Sequence, residues 1–214
     1  LKRAGTEEEL ASVLDDKRIN AVCMGPGLGL ERARWLVEVV LRGGVPRPAV
    51  LDADVLTAFE DEPDELSGML REDCVLTPHG GEFARLFPDI AEKLNATPTK
   101  GPAYSKVDAT RAAAKRAGCV VLFKGPDTVI AAPDGRCSIN SAFYERAAPW
   151  LATAGSGDVL AGFITGLLAR GFLAMQAAET GAWLHVECAR AFGPGLIAED
   201  LPEALPGVFR DLGV

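Results

Sequence analysis

An α/β fold is predicted, with a mostly parallel central sheet, helices on both faces and a small β-hairpin. Three features of the sequence predict it. Short apolar runs alternate with helical patterns along the chain. Those runs are apolar throughout, as strands buried inside a layered sheet are. Near the middle, two strand-like runs flank Asp134-Gly135, a hairpin-turn dipeptide.

The elements follow in order. "INAVCMG" (19–25) reads as a buried strand and "GPGLG" as the turn after it. A helix is expected over Glu31 to Leu41, with Trp35, Leu36, Val39 and Val40 on one face. "RPAVLDAD" (47–54) and "EDCVLTPH" (72–79) are strands, and "GEFARLF" is a short helix ended by Pro88. "LNATPTKGPAYS" (94–105) reads as a loop, "KVDATRAAAKRAG" as a helix and "CVVLFKG" (119–125) as a strand. "DTVIAAPDGRCSIN" is the hairpin. Helices are expected over 158–169 and 174–192. No repeat or low-complexity segment interrupts this order, and 214 residues suit a single domain over 1–214.

In open α/β sheets, ligands sit at the carboxyl ends of the strands. Here each of the first four strands ends in a chemically loaded turn: Gly25-Pro-Gly-Leu-Gly29, Asp52-Ala-Asp54, Thr77-Pro-His79 and Lys124-Gly125. Every one also has a plain structural reading. The glycines serve a turn, Asp54 caps the next helix, and His79 makes a structural hydrogen bond. Functionally, the glycines admit a ligand, and the Asp pair meets Mg²⁺ or a hydroxyl. Lys124 leaves a buried strand and so needs a partner, for which phosphate is a common choice. Thr128 is close enough in sequence to join it.

"ATAGSGDVL" (152–160) places small residues and then one carboxylate at the mouth of a helix. Unpaired N–H groups there suit an anion, whereas Asp158 repels one. Asp158 therefore either caps the helix or works beside that anion. "HVEC" (185–188) has the H-x-E of a zinc deaminase without its P-C-x-x-C, so His185 reads as structural or surface. With two histidines, neither a His-based metal site nor a Ser-His-Asp triad is supported, and no metal-ligand set is assigned.

Charge bounds the partners. Lys plus Arg number 22 against 30 Asp plus Glu, a net charge of −8, which argues against a nucleic-acid-backbone binder. Cys23, Cys74, Cys119, Cys137 and Cys188 are odd in number and form no C-x-x-C pair; they read as buried or neutral thiols in a reducing compartment. No signal peptide or membrane span is read, so a cytoplasmic location is expected.

Taken together, "GPGLG", "LDADVL", "LTPHGGEFARLF", "FKGPDT", Asn140 and "LATAGSGDVLAGFITGLLARG" resemble, in order, the NAD(P)H-hydrate dehydratases of ribokinase-like fold. The resemblance runs from about Ile19 to the end. It implies repair of hydrated NADH or NADPH, driven by ADP, with ATP as the alternative co-substrate and Mg²⁺ alongside. "TPH" is similar to the ADP-dependent branch. On this resemblance Lys124, Gly125, Pro126, Asp127, Thr128 and Gly157 bind the nucleotide. Gly27, His79 and Asp158 meet the hydrated cofactor, and Asp158 is catalytic. Gly155, Ser156 and Gly157 form an anion hole. The products would be NAD(P)H, AMP and phosphate. Homo-oligomers and an epimerase activity, fused upstream in many members, are the implied partners. Two departures stand out. "SAFYERAAPW" (141–150) replaces a Gly-Asn-Pro type run, and the family's opening strand and helix have no counterpart, so an N-terminally truncated domain is expected. Rival readings are a small-molecule kinase of the same fold and a non-catalytic nucleotide-binding fragment.

Overall fold

The computed structural model describes residues 3–97 and 101–213. Helix α1 (Glu7–Leu14) precedes β1 (Val22–Met24); then come α2 (Leu30–Arg42), β2 (Ala49–Leu51), α3 (Asp54–Ala58), α4 (Pro63–Ser67), β3 (Cys74–Leu76), α5 (Gly80–Leu86), α6 (Pro88–Asn95), α7 (Lys106–Ala117) and β4 (Val120–Phe123). The hairpin β5 (Asp127–Ala131) and β6 (Cys137–Ser141) follows, then 3-10 turns at Tyr144–Arg146 and Pro149–Leu151, and finally α8 (Ser156–Ala169), α9 (Ala174–Phe192) and α10 (Asp200–Leu212).

The six strands form one sheet in sequence order. β1 to β4 are parallel, and β5 and β6 are antiparallel additions. Strand residues alternate between two cores. Leu51, Leu76, Val121 and Phe123 face one core, which α1 to α7 cover. Val50, Val75, Val120, Leu122 and Ile130 face the other, under α8 and α9. Because both faces are covered, the strands are buried at every position in β2, β3 and β4. A third cluster holds α10 to α9 through Leu201 and Val208 against Leu184 and Cys188.

The expected strands, the hairpin at Asp134-Gly135 and the helices over 158–169 and 174–192 are present, with shorter strands than the apolar runs suggest. Pro88 does more than end α5: it is the first residue of α6, where proline's missing N–H costs nothing. That helix takes the start of the expected loop 94–105, of which residues 98–100 lie outside the described residues. The cysteines are free; Cys74, Cys119 and Cys188 are buried, while Cys23 is exposed. Among the described residues no helix is long and apolar enough to cross a membrane.

The carboxyl ends of β1 to β4 form one rim, stitched by backbone bonds. Asp52 N–H donates to Met24 O at 3.0 Å, Thr77 N–H to Leu51 O at 3.2 Å and Lys124 N–H to Pro78 O at 2.8 Å. Gly25, at φ 147°, lies so close that a Cβ there would sit 1.9 Å from the Asp52 carbonyl oxygen. At Gly27, φ 69°, a Cβ would meet open space. Gly25→Ala is therefore expected to cost about 2–4 kcal/mol, combining strain and overlap, while Gly27→Ala should cost about 1 kcal/mol. Urea denaturation of the two variants side by side checks this; equal losses would mean that the Asp52 carbonyl yields freely.

Candidate active site

Lys124 leaves β4 and turns toward β2, across β3. Its Nζ lies 2.8 Å from Asp52 Oδ1 and 3.8 Å from Glu82 Oε2. The sequence left phosphate as the common partner for this lysine; in the structure a carboxylate already holds it. Asp52 is 1% exposed, and its Oδ2 is buried with no hydrogen-bond donor. Asp54 does not cap its own helix. As the first residue of α3 it reaches back, and its Oδ2 accepts the Gly29 N–H at 2.8 Å, fixing the glycine turn after β1. The two aspartates of "LDAD" thus tie one strand end to two neighbours.

Residues 155–158 open α8. Gly155 is its N-cap in the left-handed region, φ 82°, and no side chain caps the helix. Asp158 accepts no hydrogen bond from the described residues. The first of the two readings of Asp158, self-capping, is thereby removed. Burial and then the charge of Asp52 raise its carboxyl above the ordinary aspartate value; Lys124 opposes them, and Asp54 adds a smaller push upward. Ser156 is spent internally. Its hydroxyl donates to Leu151 O at 2.7 Å and its N–H points to Thr153 O at 3.4 Å. The N–H groups of Gly157 and Asp158 are left open at this helix start. A Cβ on Gly157 would lie 3.3 Å from Lys124 Nζ. The lysine and the helix start therefore converge on one point.

His185 is structural, and buried rather than at the surface. Burial lowers its pKa to about 4, so the ring is neutral, and its Nε2 donates to Ser156 O at 2.8 Å. This contact is not legible in the sequence, because 29 residues separate the partners.

A cavity of about 520 Å³ opens beside this point. Lys124, Gly125, Pro126, Thr128, Ser156 and Gly157 line it, together with apolar residues of the 3-10 turns and α9. Most of the expected nucleotide set is thus gathered in one place. Asp127 is the exception: it is exposed at the start of β5 and does not line the cavity. Thr128 Oγ1 donates to Gly125 O at 2.9 Å, closing the turn. The departure "SAFYERAAPW" supplies the cavity's far wall through Phe143, Ala147, Ala148 and Pro149. Asn140 is held by Ala182 O at 2.9 Å and by Arg146 at 2.9 Å.

His79 and Gly27 lie on the rim outside the cavity lining. His79 is the N-cap of α5: its Nδ1 accepts from Gly81 N–H at 3.0 Å, and Glu82 Oε2 accepts the His79 N–H at 2.8 Å. The structural reading of His79 is met, while its ring stays about half exposed, at 55%. Among the described residues no three His, Cys, Asp or Glu side chains group to hold a metal. Mg²⁺ commonly binds through phosphates and one or two carboxylates, so the residues present fit an ion that enters with a nucleotide, Asp158 having the free carboxylate.

With this geometry in place, comparison with known proteins is decisive. The family model for NAD(P)H-hydrate dehydratase matches residues 3–205. The chain belongs to the NAD(P)H-hydrate dehydratase family. It is 38% identical over 199 residues to the bifunctional NAD(P)H-hydrate repair enzyme of Moorella thermoacetica, covering 91% of this chain and 35% of that protein. It is 35% identical over 213 residues to the ADP-dependent (S)-NAD(P)H-hydrate dehydratase of Neisseria meningitidis, covering 93% of this chain and 65% of that one. The chain spans about a third of the length of the bifunctional relatives. Among solved structures, the ADP/ATP-dependent NAD(P)H-hydrate dehydratase of Bacillus subtilis, co-crystallised with ATP and Mg²⁺, superposes with a TM-score of 0.69 at 28% identity, over 90% of this chain and 64% of that one. A ribokinase-like protein of Enterococcus faecalis matches the fold at a TM-score of 0.72 and 22% identity.

In this NAD(P)H-hydrate dehydratase family member, the Lys124–Asp52 pair invites a direct test. Removing one partner of a buried pair strands the other charge, which costs about 3–5 kcal/mol. Lys124→Met is expected to fall in that range, and adding Asp52→Asn should recover most of the loss. A double-mutant cycle by urea denaturation measures it; additive losses would show that the two side chains do not depend on each other.

Proposed function

We propose that this chain carries out the ADP-dependent dehydration of the S-hydrate of NADH or NADPH, with ATP as the alternative co-substrate. The observation that carries the proposal is the unpartnered Asp158 carboxylate, one residue beyond Gly157, where an added Cβ would lie 3.3 Å from Lys124 Nζ. The ADP base and ribose would occupy the apolar cavity lined by Pro126, Phe143 and Leu151. The phosphates would lie at Lys124 and the α8 N–H groups, where a helix start favours anions. Asp158 would take the proton from the hydroxyl on the hydrated ring as that oxygen attacks the terminal phosphoryl group of ADP. AMP departs. Loss of inorganic phosphate from the ring then restores the dihydronicotinamide. Mg²⁺, when bound with the nucleotide, would offset phosphate charge.

A carboxylate whose proton affinity is raised is a better base, which is what burial and the Asp52 and Asp54 charges do to Asp158. Gly27 and His79, on the rim beyond Lys124, would meet the hydrated ring. The family's bifunctional members are named as repair enzymes, and an epimerase activity supplying the S-epimer is the partner this reading implies. Residues 1–214 would act as one domain, assembling as a homo-oligomer in the cytoplasm.

The test is incubation of the full chain with the hydrate and ADP, following dihydronicotinamide absorbance and phosphate release together. Both should rise in step. A stable phosphoester without dihydronicotinamide would establish a kinase instead. Asp158→Asn is expected to lower kcat/KM by about 10²–10⁴-fold, the range for losing a general base, with ADP binding kept. Because its pKa is raised, the Asp158 base form is lost sooner as pH falls. The acid limb of kcat/KM should therefore lie above the ordinary aspartate range and be absent from Asp158→Asn. Near-normal turnover in that variant would remove Asp158 from the mechanism.

A further inference from the structure

Lys106 sits where a helix does not want a cation. It is the first residue of α7, at the positive end of the helix dipole, where acidic side chains are favoured. Its side chain leaves the helix and runs over the face of Phe123, with Nζ 4.3 Å from the ring centroid. Phe123 in turn stacks on Phe83 at 4.1 Å. The ammonium ends on two backbone carbonyls, Lys124 O at 3.0 Å and Asp127 O at 2.7 Å. Burial lowers its pKa to about 8, against the favourable charge of Asp127. A desolvated cation at the wrong end of a helix needs a compensating reason.

Those two carbonyls bracket Gly125 and Pro126, the residues that turn the chain between β4 and β5. Of the two carbonyls between them, Gly125 O accepts from Thr128 Oγ1 and Pro126 O from Ala142 N–H. Lys106 and Thr128 together therefore hold three carbonyls of this turn. A Cβ on Gly125 would lie 2.7 Å from Lys106 Nζ, so the ammonium fills the space that any side chain there would need. Lys124, Gly125, Pro126 and Thr128 line the cavity, and Lys106 does not. It holds the carbonyls of Lys124 and Asp127 from outside the cavity lining.

We propose that Lys106 is a positioning residue for the nucleotide, setting the shape of the Lys124–Thr128 turn from outside the cavity. This rests on the nucleotide reading of that cavity. The experiment uses the full chain and its Lys106→Met and Lys106→Gln variants. It measures the Kd for mant-ADP, the KM for ADP and for the hydrate, and the melting temperature. Met keeps the aliphatic packing on Phe123 and removes every donor; Gln keeps two donors without the charge. Lys106→Met should weaken mant-ADP binding and raise the ADP KM by about 10-fold or more, as loss of charge-assisted hydrogen bonds would. The hydrate KM should stay within about twofold, a margin well below one such bond. Lys106→Gln should recover part of the ADP affinity. Equal weakening toward both substrates, or unchanged mant-ADP affinity in Lys106→Met, overturns the inference. Should Lys106→Met fail to fold, unchanged affinity in Lys106→Gln overturns it and a selective loss toward ADP upholds it. Absence of mant-ADP binding to the unaltered chain overturns the nucleotide reading and this inference with it; binding that is insensitive to Lys106 overturns this inference alone.

Discussion

The contact between Lys124 and Asp52 is the constraint on which the rim depends. It joins the ends of β2 and β4, 72 residues apart, across the intervening β3. Asp52 is almost fully buried, and a buried carboxylate without a cation is strongly disfavoured. Lys124 must therefore stay on the sheet side of the cavity. The Asp52 backbone is committed too: its carbonyl lies where a Cβ of Gly25 would be. The first glycine turn, the carboxylate pair and the lysine are thus one packing problem with one solution.

That arrangement divides the site. On one side lies the apolar cavity, walled by the hairpin, the 3-10 turns and α9. On the other lie Asp52, Asp54, Asp158 and Glu82, with Lys124 at the boundary. The Lys124 charge is already balanced by Asp52, and Glu82 stands 3.8 Å away, so the cluster is net negative. A polyanionic ligand would meet that field. The open N–H groups of α8 offset it in part. A divalent ion arriving on the phosphates would offset more, and this is a physical reason for a nucleotide to enter as its Mg²⁺ complex.

Much of this was legible in the sequence, and the misses have causes. Unbroken apolar runs marked β2 to β4 because both sheet faces are covered there, and Asp134-Gly135 marked the hairpin because its turn needs positive φ, 90° at Gly135. Helix α1 was missed because "EEELASVL" is a short helix whose apolar stripe is only Leu10, Val13 and Leu14, with Leu14 alone buried. Helix α10 was hidden by the interior Pro206. For the candidate site, the loaded strand ends do share one rim, beside the cavity. What the sequence could not show was pairing. Asp52, rather than phosphate, is the resident partner of Lys124, and Lys106 gave no signal because its role appears only when α7 packs beside the β4–β5 turn. Asp127 lies exposed at the start of β5, and its carbonyl accepts from Lys106.

The small residues ahead of Asp158 also find their physical explanation in what each gives up. Gly155 is left-handed, and a Cβ there would meet Ala198 at 3.1 Å. Ser156 commits its hydroxyl to Leu151 and its carbonyl to the buried, neutral His185. Gly157 has no room for a side chain without displacing Lys124. After these commitments, the polar groups left open at the helix start are two N–H donors and one carboxylate. Donors suit the oxygens of a phosphoryl group, while a carboxylate of raised proton affinity suits a hydroxyl proton. An N-cap aspartate serving the helix alone would have satisfied those donors itself. Here they remain open beside an unpartnered carboxylate, the combination on which the proposed phosphoryl transfer to a hydroxyl rests.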